Sequence, residues 1–151
     1  MEKVIVIIGQ TAVGKTAMSI KLAKKLDSEI INGDAMQVYK ELNIITDKIT
    51  KEKMNNIPHH LLDIKSISEN YNVEEYQKNI RKLISDINSK GKIPIIVGGT
   101  GLYIKAALFD YTFQKENVSN EEMEIYYKDK SNDKLYEILL SLDPKSAEKI
   151  H

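Results

Sequence analysis

Residues 4–16 constrain the fold more than any other stretch, because an uninterrupted apolar run, Val4-Ile5-Val6-Ile7-Ile8, leads directly into GQTAVGKT. Five consecutive β-branched residues predict a strand buried on both faces of a parallel sheet. Ala17, Ile20, Ala23 and Leu26 then recur at helical spacing. Strand, glycine loop and helix follow in the order of a phosphate-binding P-loop, with Gly9, Gly14, Lys15 and Thr16 at the positions that motif fixes.

The residue types fit that chemistry. Gly9 and Gly14 are expected to permit backbone geometry that a Cβ would obstruct, so that successive N–H groups turn inward on a phosphate at the positive end of the helix. Lys15 adds a full charge, and the Thr16 hydroxyl is placed to ligate Mg²⁺. The alternative is a glycine-rich connector with no ligand.

With 151 residues, 42% of them hydrophobic, the chain can bury one core but hardly two. Lys+Arg and Asp+Glu are equal at 22 each, which argues against a uniformly basic nucleic-acid binder but not against a local basic face. The absence of cysteine excludes disulfides and thiolate chemistry. No signal peptide or membrane-spanning run is evident, so a cytoplasmic location is expected.

Further along, residues 28–32 (SEIIN) predict a second strand ending at Gly33-Asp34. Open parallel sheets bind ligands beyond the carboxyl ends of their strands, so Asp34 and the P-loop are expected to face one crevice. Residues 35–40 fit a short helix or turn, and the polar segment 43–58 is expected to be a surface excursion. His59 and His60 suggest a structural or hydrogen-bonding role, since neighbours on a strand point to opposite sides and no third metal ligand is evident. Asp63 is either a carboxylate near Mg²⁺ or a surface aspartate. Asn72, followed by Glu74 and Glu75, predicts an N-cap with an acidic first turn. Val73, Tyr76, Ile80, Leu83, Ile84 and Ile87 give the apolar stripe of a long helix that Gly91 stops. Arg81, in its middle, is read as a solvated charge.

Residues 93–97 predict another buried strand, ending at Gly98-Gly99-Thr100-Gly101 before a helix over 102–108. Those glycines allow close approach of either a ligand or another backbone, and Thr100 would offer a hydroxyl to the crevice. Residues 114–133 are polar and lack a strand signal. Leu135, Ile138, Leu139 and Leu142 then predict a helix stopped by Asp143-Pro144, with another starting at Ser146 and cut at His151. Only three confident strands are found, fewer than the five or so common in P-loop sheets.

Taken in order, GQTAVGKT, EIINGDAMQVYKELNI, PHHLLDI, PIIVGGTGLYIKAAL and LDPKSAEKIH resemble the tRNA dimethylallyltransferase (tRNA isopentenyltransferase) family across essentially the whole chain. The resemblance implies an α/β fold, a P-loop NTPase-like parallel sheet flanked by helices. It implies an incomplete core over 1–112 and the start of a helical tRNA-binding insertion domain over 113–151. It also implies transfer of a dimethylallyl group from dimethylallyl diphosphate to N6 of the adenosine 3′ of the anticodon in tRNA, with Mg²⁺ as cofactor. Gly9, Gln10, Thr11, Ala12, Val13, Gly14, Lys15 and Thr16 would then hold a prenyl diphosphate, with Thr16 on the metal. Asp34 would accept the N6 proton, Lys15 and Thr100 would complete the catalytic group, and Asp34, Ala35, Met36, Gln37 and Thr100 would meet the tRNA.

Two departures stand out. Ala35 replaces the family's usual serine, and Asn43-Ile44-Ile45-Thr46-Asp47-Lys48 stands where the family tends to read D-I-G-T-A-K, which removes a glycine and adds a charge. Full-length members continue for about as many residues again, so the sequence is expected to be truncated, with its turnover in question. Two other readings use the same loop. One is a small-molecule or nucleotide kinase binding ATP, with Asp34 as base. The other is a non-catalytic diphosphate-binding remnant.

Overall fold

The β-branched run forms strand β1 (Ile5–Ile8), and the loop after it leads into helix α1 (Lys15–Leu26), in a computed structural model that describes residues 2–44, 46–113 and 120–150. The remaining elements are β2 (Ile30–Asn32), β3 (His59–His60), α2 (Val73–Ser89), β4 (Ile95–Gly98), α3 (Gly101–Leu108), α4 (Asn120–Tyr127), α5 (Asn132–Leu142) and α6 (Pro144–Ala147). The chain divides into two compact units, Met1–Thr112 and Phe113–His151.

In the first unit the strands form one parallel sheet in the order β1-β4-β2-β3. Register places Ile30 beside Ile95 and Ile31 beside Ile96, so each pair points to one face. Ile30 and Ile95 pack with Ile20 and Ala23 of α1. Ile31 and Ile96 pack on the other face with Tyr76, Ile80, Ile84 and Ile87 of α2 and with Tyr103, Ile104 and Ala107 of α3. Helices cover both faces, as a parallel sheet requires.

The α2 expectations hold. Asn72 accepts a hydrogen bond from the Glu75 amide at 2.8 Å, Glu74 and Glu75 occupy the first turn, and Gly91 takes a left-handed φ of 75° just past the end. The cap contributes about 1 kcal/mol. Each buried apolar side chain contributes about 1.5–3 kcal/mol, so burial of the stripe outweighs capping in fixing this helix.

Four expectations need correction. β1 is half-buried rather than enclosed, with Ile8 58% exposed, because among the described residues it pairs only with β4 and so forms a sheet edge. The sheet has a fourth strand, β3, whose two residues are too few to give a periodic signal. Segment 43–58 is not simply a surface excursion. The Lys48 side chain is 3% exposed, and Ile49 and Ile57 pack on the α1-side core. Arg81 does not stand free in solvent, since its guanidinium donates to the Phe109 carbonyl at 2.5 Å and to the Ala106 carbonyl at 3.4 Å. Carbonyls at the end of α3 lack helical partners and attract a cation.

The second unit is helical. Ser131 caps α5 by accepting from the Lys134 amide, and the Lys130 ammonium lies 3.7 Å from the centre of the Tyr126 ring. The last helix begins at Pro144, in the first-turn position where a missing N–H costs nothing, and ends at Ala147. It therefore neither starts at Ser146 nor runs on to the terminus, and Asp143 caps it by accepting from the Ser146 amide at 3.2 Å. Helix α4 matches the helices that the family resemblance implies from Asn120 onward, within a polar stretch, 114–133, of which 114–119 lie outside the described residues.

Candidate active site

The loop between β1 and α1 makes its tightest demand at Gly14, which caps α1 with φ 89°. Ala12 also adopts a left-handed φ of 67°. Gly9 makes no such demand, contrary to expectation. A Cβ there would lie 3.4 Å from Val13 Cγ2 and 3.8 Å from Lys15 Cδ, ordinary contact distances. The Lys15 ammonium folds back to donate to the Gln10 carbonyl at 2.5 Å. Thr16 is exposed, and its carbonyl accepts from the buried Ser19 hydroxyl at 2.8 Å.

Asp34 is delivered by the end of β2. Asn32, buried, donates its side-chain amide to the Asp34 carbonyl at 2.8 Å and to the Leu61 carbonyl at 3.0 Å, and accepts from the Asp34 amide at 3.0 Å. Asp34 Oδ1 accepts from the Met36 amide at 2.9 Å, which closes a turn and fixes the carboxylate. Beneath this turn the Tyr76 ring stacks on Tyr103 at 4.2 Å between ring centres, and Tyr71 meets Tyr103 edge-on. Burial pushes the Tyr103 hydroxyl up to about 12 and raises Tyr76 further, so both stay neutral donors.

At the second glycine turn the backbone approach is observed, and Gly98 also lines the cavity described below. A Cβ on Gly98 would fall 2.2 Å from the carbonyl carbon and oxygen of Gly33, so this glycine serves backbone-to-backbone packing of β4 against β2. Gly33 donates to the Val97 carbonyl at 2.8 Å. The Thr100 hydroxyl accepts from the Ala35 amide at 3.0 Å and thus reaches the Asp34 turn from behind.

These elements enclose one cavity of about 580 Å³. The β1–α1 loop contributes Thr11, Ala12, Gly14, Lys15 and Thr16 to its lining, the segment after β2 contributes Asp34 and Gln37, and a third wall comes from Thr46, Asp47, Lys48, Lys53 and Asn55. The expected meeting of P-loop and Asp34 at one crevice is observed. Gly9, Gln10, Val13, Ala35, Met36 and Thr100 are not among the residues that wall it; Gln10 and the Met36 amide bond to Lys15 and Asp34, which do, and Val13 and Met36 stand exposed. Ile45 lies outside the described residues.

Sequence reasoning missed the third wall. Lys48 donates to the Tyr39 carbonyl and to Asp63 Oδ1 at 2.6 Å, and Gln37 donates to the Thr46 carbonyl at 2.8 Å. Asp63 therefore pairs with a lysine. His59 Nδ1–H donates to the Ile57 carbonyl at 2.8 Å, and His60 bonds Glu29 at 2.7 Å, which matches the hydrogen-bonding role expected of them. Burial lowers the His59 imidazole below its ordinary value. Burial alone would raise Glu29, but hydrogen bonds from His60 and Lys90 hold it below the usual carboxylate range.

Oxygen donors in the cavity suit Mg²⁺, which keeps several waters and takes one or two protein oxygens besides phosphate. Thr16 offers a hydroxyl there, and Asp34 and Asp47 carboxylates. No group of three or more metal-binding His, Cys, Asp or Glu side chains occurs among the described residues.

The family model for IPP transferase matches residues 37–151. The chain is 57% identical over 150 residues to a tRNA dimethylallyltransferase of Anoxybacillus flavithermus, covering 99% of this chain and 48% of the relative. Among solved structures it resembles the full-length tRNA isopentenylpyrophosphate transferase of Bacillus halodurans, with TM-score 0.74 and 42% identity, over 100% of this chain and 51% of the other. It also resembles a eukaryotic dimethylallyltransferase acting on tRNA, with TM-score 0.82 and 38% identity, over 100% of this chain and 38% of that one. The chain spans about half the length of the curated relatives it matches. The family match over residues 37–151, more than half of the chain, places the chain in the IPP transferase family.

Proposed function

We propose that the cavity holds dimethylallyl diphosphate and that the chain carries out dimethylallyl transfer to N6 of the adenosine 3′ of the anticodon in tRNA. One observation carries this reading: Lys15 and Thr16, suited to a diphosphate, line the same cavity as Asp34, suited to a proton.

An exocyclic amine is a weak nucleophile because its lone pair is delocalised into the ring. Attack on the allylic C1 forms a C–N bond while the C1–O bond breaks, and the electron pair leaves with the diphosphate. Asp34 takes the N6 proton, and its fixed turn keeps the carboxylate where the amine must arrive. Lys15 and the loop amides meet the charge that grows on the leaving oxygens. Thr16 would hold Mg²⁺, which supplies electrostatic stabilisation of that charge. Thr100 acts as a positioning residue through Ala35. The target base must leave its stack to reach the cavity, and residues 113–151 are read as helical surface for the tRNA. No helix among the described residues is long and apolar enough to cross a membrane, and a cytoplasmic setting fits a tRNA substrate.

The test is incubation of the 151-residue chain with dimethylallyl diphosphate, Mg²⁺ and an anticodon stem-loop, followed by mass spectrometry of the RNA. Prenylated RNA is expected from the chain and not from Asp34→Asn. Pyrophosphate binding without any transfer would overturn the transferase reading and leave a diphosphate-binding unit.

A further inference from the structure

Lys53 lines the same cavity as the glycine loop, on a segment whose roots are fixed. On one side Thr46 is held by Gln37, and Lys48 by Tyr39 and Asp63. On the other, Ile57 packs on the core and its carbonyl holds His59. Between them the chain turns on itself, with the Met54 amide donating to the Thr50 carbonyl at 3.1 Å and the Asn55 side chain donating to the Lys53 carbonyl at 3.0 Å. The result carries Lys53 and Asn55 to the cavity.

The charges around the cavity give Lys53 a role. Four lysines line it, Lys15, Lys21, Lys48 and Lys53, with two carboxylates, Asp34 and Asp47. Lys48 is neutralised by Asp63. Lys15, Lys21 and Lys53 form no ion pair among the described residues. Without Lys53 the two free cations would only balance the two carboxylates, so the side chains that line the cavity would offer a diphosphate carrying about three negative charges no net attraction beyond that of Mg²⁺. With Lys53 the balance is positive, and its cation comes from a segment separate from the loop that carries Lys15.

We propose that Lys53 is a diphosphate-binding residue that covers the phosphate oxygens left open by the phosphate loop. The proposal rests on the reading of the cavity as a diphosphate site. It assigns to segment 50–56 the task of supplying the last cation.

The experiment is titration calorimetry of the 151-residue chain with inorganic pyrophosphate and Mg²⁺, comparing the parent with Lys53→Ala, Lys53→Arg and Lys51→Ala. Lys51 is an exposed lysine of the same turn that does not line the cavity. A solvated charge-assisted contact predicts about a fivefold loss of affinity for Lys53→Ala. Lys53→Arg should retain affinity within about twofold, and Lys51→Ala should match the parent. Equal affinities for Lys53→Ala and Lys51→Ala, in a chain that binds pyrophosphate, would overturn the role of Lys53 alone. A parent chain that binds no pyrophosphate would overturn the diphosphate reading itself, and this inference with it.

Discussion

The Tyr76 hydroxyl donates to the Asn32 carbonyl at 3.2 Å, directly beneath the turn that presents Asp34. Tyr76 is fully buried, and Asn32 uses both ends of its side-chain amide to hold the Asp34 turn and Leu61. The carboxylate's position is therefore set from the core outward. Tyr76→Phe should cost about 1 kcal/mol, the net value of one buried hydrogen bond. Tyr76→Ala should cost about 3–5 kcal/mol through the cavity it leaves. Asn32→Ala, which strands several buried groups, should cost about 2–4 kcal/mol. It should also lower prenyl transfer more than pyrophosphate affinity. Urea unfolding measures the first three, and the transfer assay beside calorimetry measures the last.

Gly98 and Gly101 should separate sharply. A Cβ on Gly98 would overlap the Gly33 backbone at 2.2 Å, where no side chain can rotate aside, so Gly98→Ala should cost at least about 3 kcal/mol. Gly33→Ala meets the tip of Ile104 at 2.8 Å, which can shift, and should cost about 1–2 kcal/mol. A Cβ on Gly101 meets nothing within 4 Å at the start of α3, so Gly101→Ala should be neutral or stabilise by up to about 1 kcal/mol. Equal thermal midpoints for Gly98→Ala and Gly101→Ala would show that the two backbones do not approach as described.

Asp47 lines the cavity with Thr16 and adopts a left-handed φ of 48°. Its carboxylate repels a diphosphate unless a divalent cation lies between them. Asp47→Ala should therefore tighten pyrophosphate binding about threefold when Mg²⁺ is chelated, the size of one screened charge contact. With Mg²⁺ in excess the gain should shrink or reverse. Calorimetry with and without a chelator reads both arms, and a gain independent of Mg²⁺ would rule out cation bridging at Asp47.

How much of this was legible in the sequence depended on whether the signal was local. The strand–glycine loop–helix order, the stripe of α2 with its Asn72 cap, and the arrival of Asp34 at the crevice all follow from residues close together in the chain. Lys48 shows the opposite case. Within a polar segment it reads as surface, yet it is buried because Tyr39 and Asp63, far away in sequence, satisfy its ammonium. The third cavity wall, and with it Lys53, was invisible for the same reason. Either use fits Gly98 by sequence, and only the register of β4 beside β2 brings it against the Gly33 backbone. Arg81 looked solvated until α3 was seen to end against it.

Acid should destabilise the first unit in two separate steps. Burial lowers the His59 imidazole from its ordinary value near 6.5, against the opposing effect of its bond to the Ile57 carbonyl and reinforced by the charge of His60. As pH falls below about 6.5 the unfolded chain takes up a proton that the folded chain still refuses, so the stability His59 contributes is complete above that pH and lost beneath it. Glu29 is depressed below its ordinary 4.5, since the bonds from His60 and Lys90 outweigh the penalty of burial. Its contribution is present above pH 4.5 and disappears as pH falls through the folded value. Thermal midpoints measured from pH 7.5 downward should thus decline first below about 6.5 and again below about 4.5. His59→Asn should flatten the first decline and keep the second, whereas Glu29→Gln should shrink the second, to which the lowered carboxyls of Glu52 and Glu69 also contribute, and keep the first. A His59→Asn variant that retains the full loss between pH 7 and 5.5 would show that the imidazole is not held neutral by its burial beside β2.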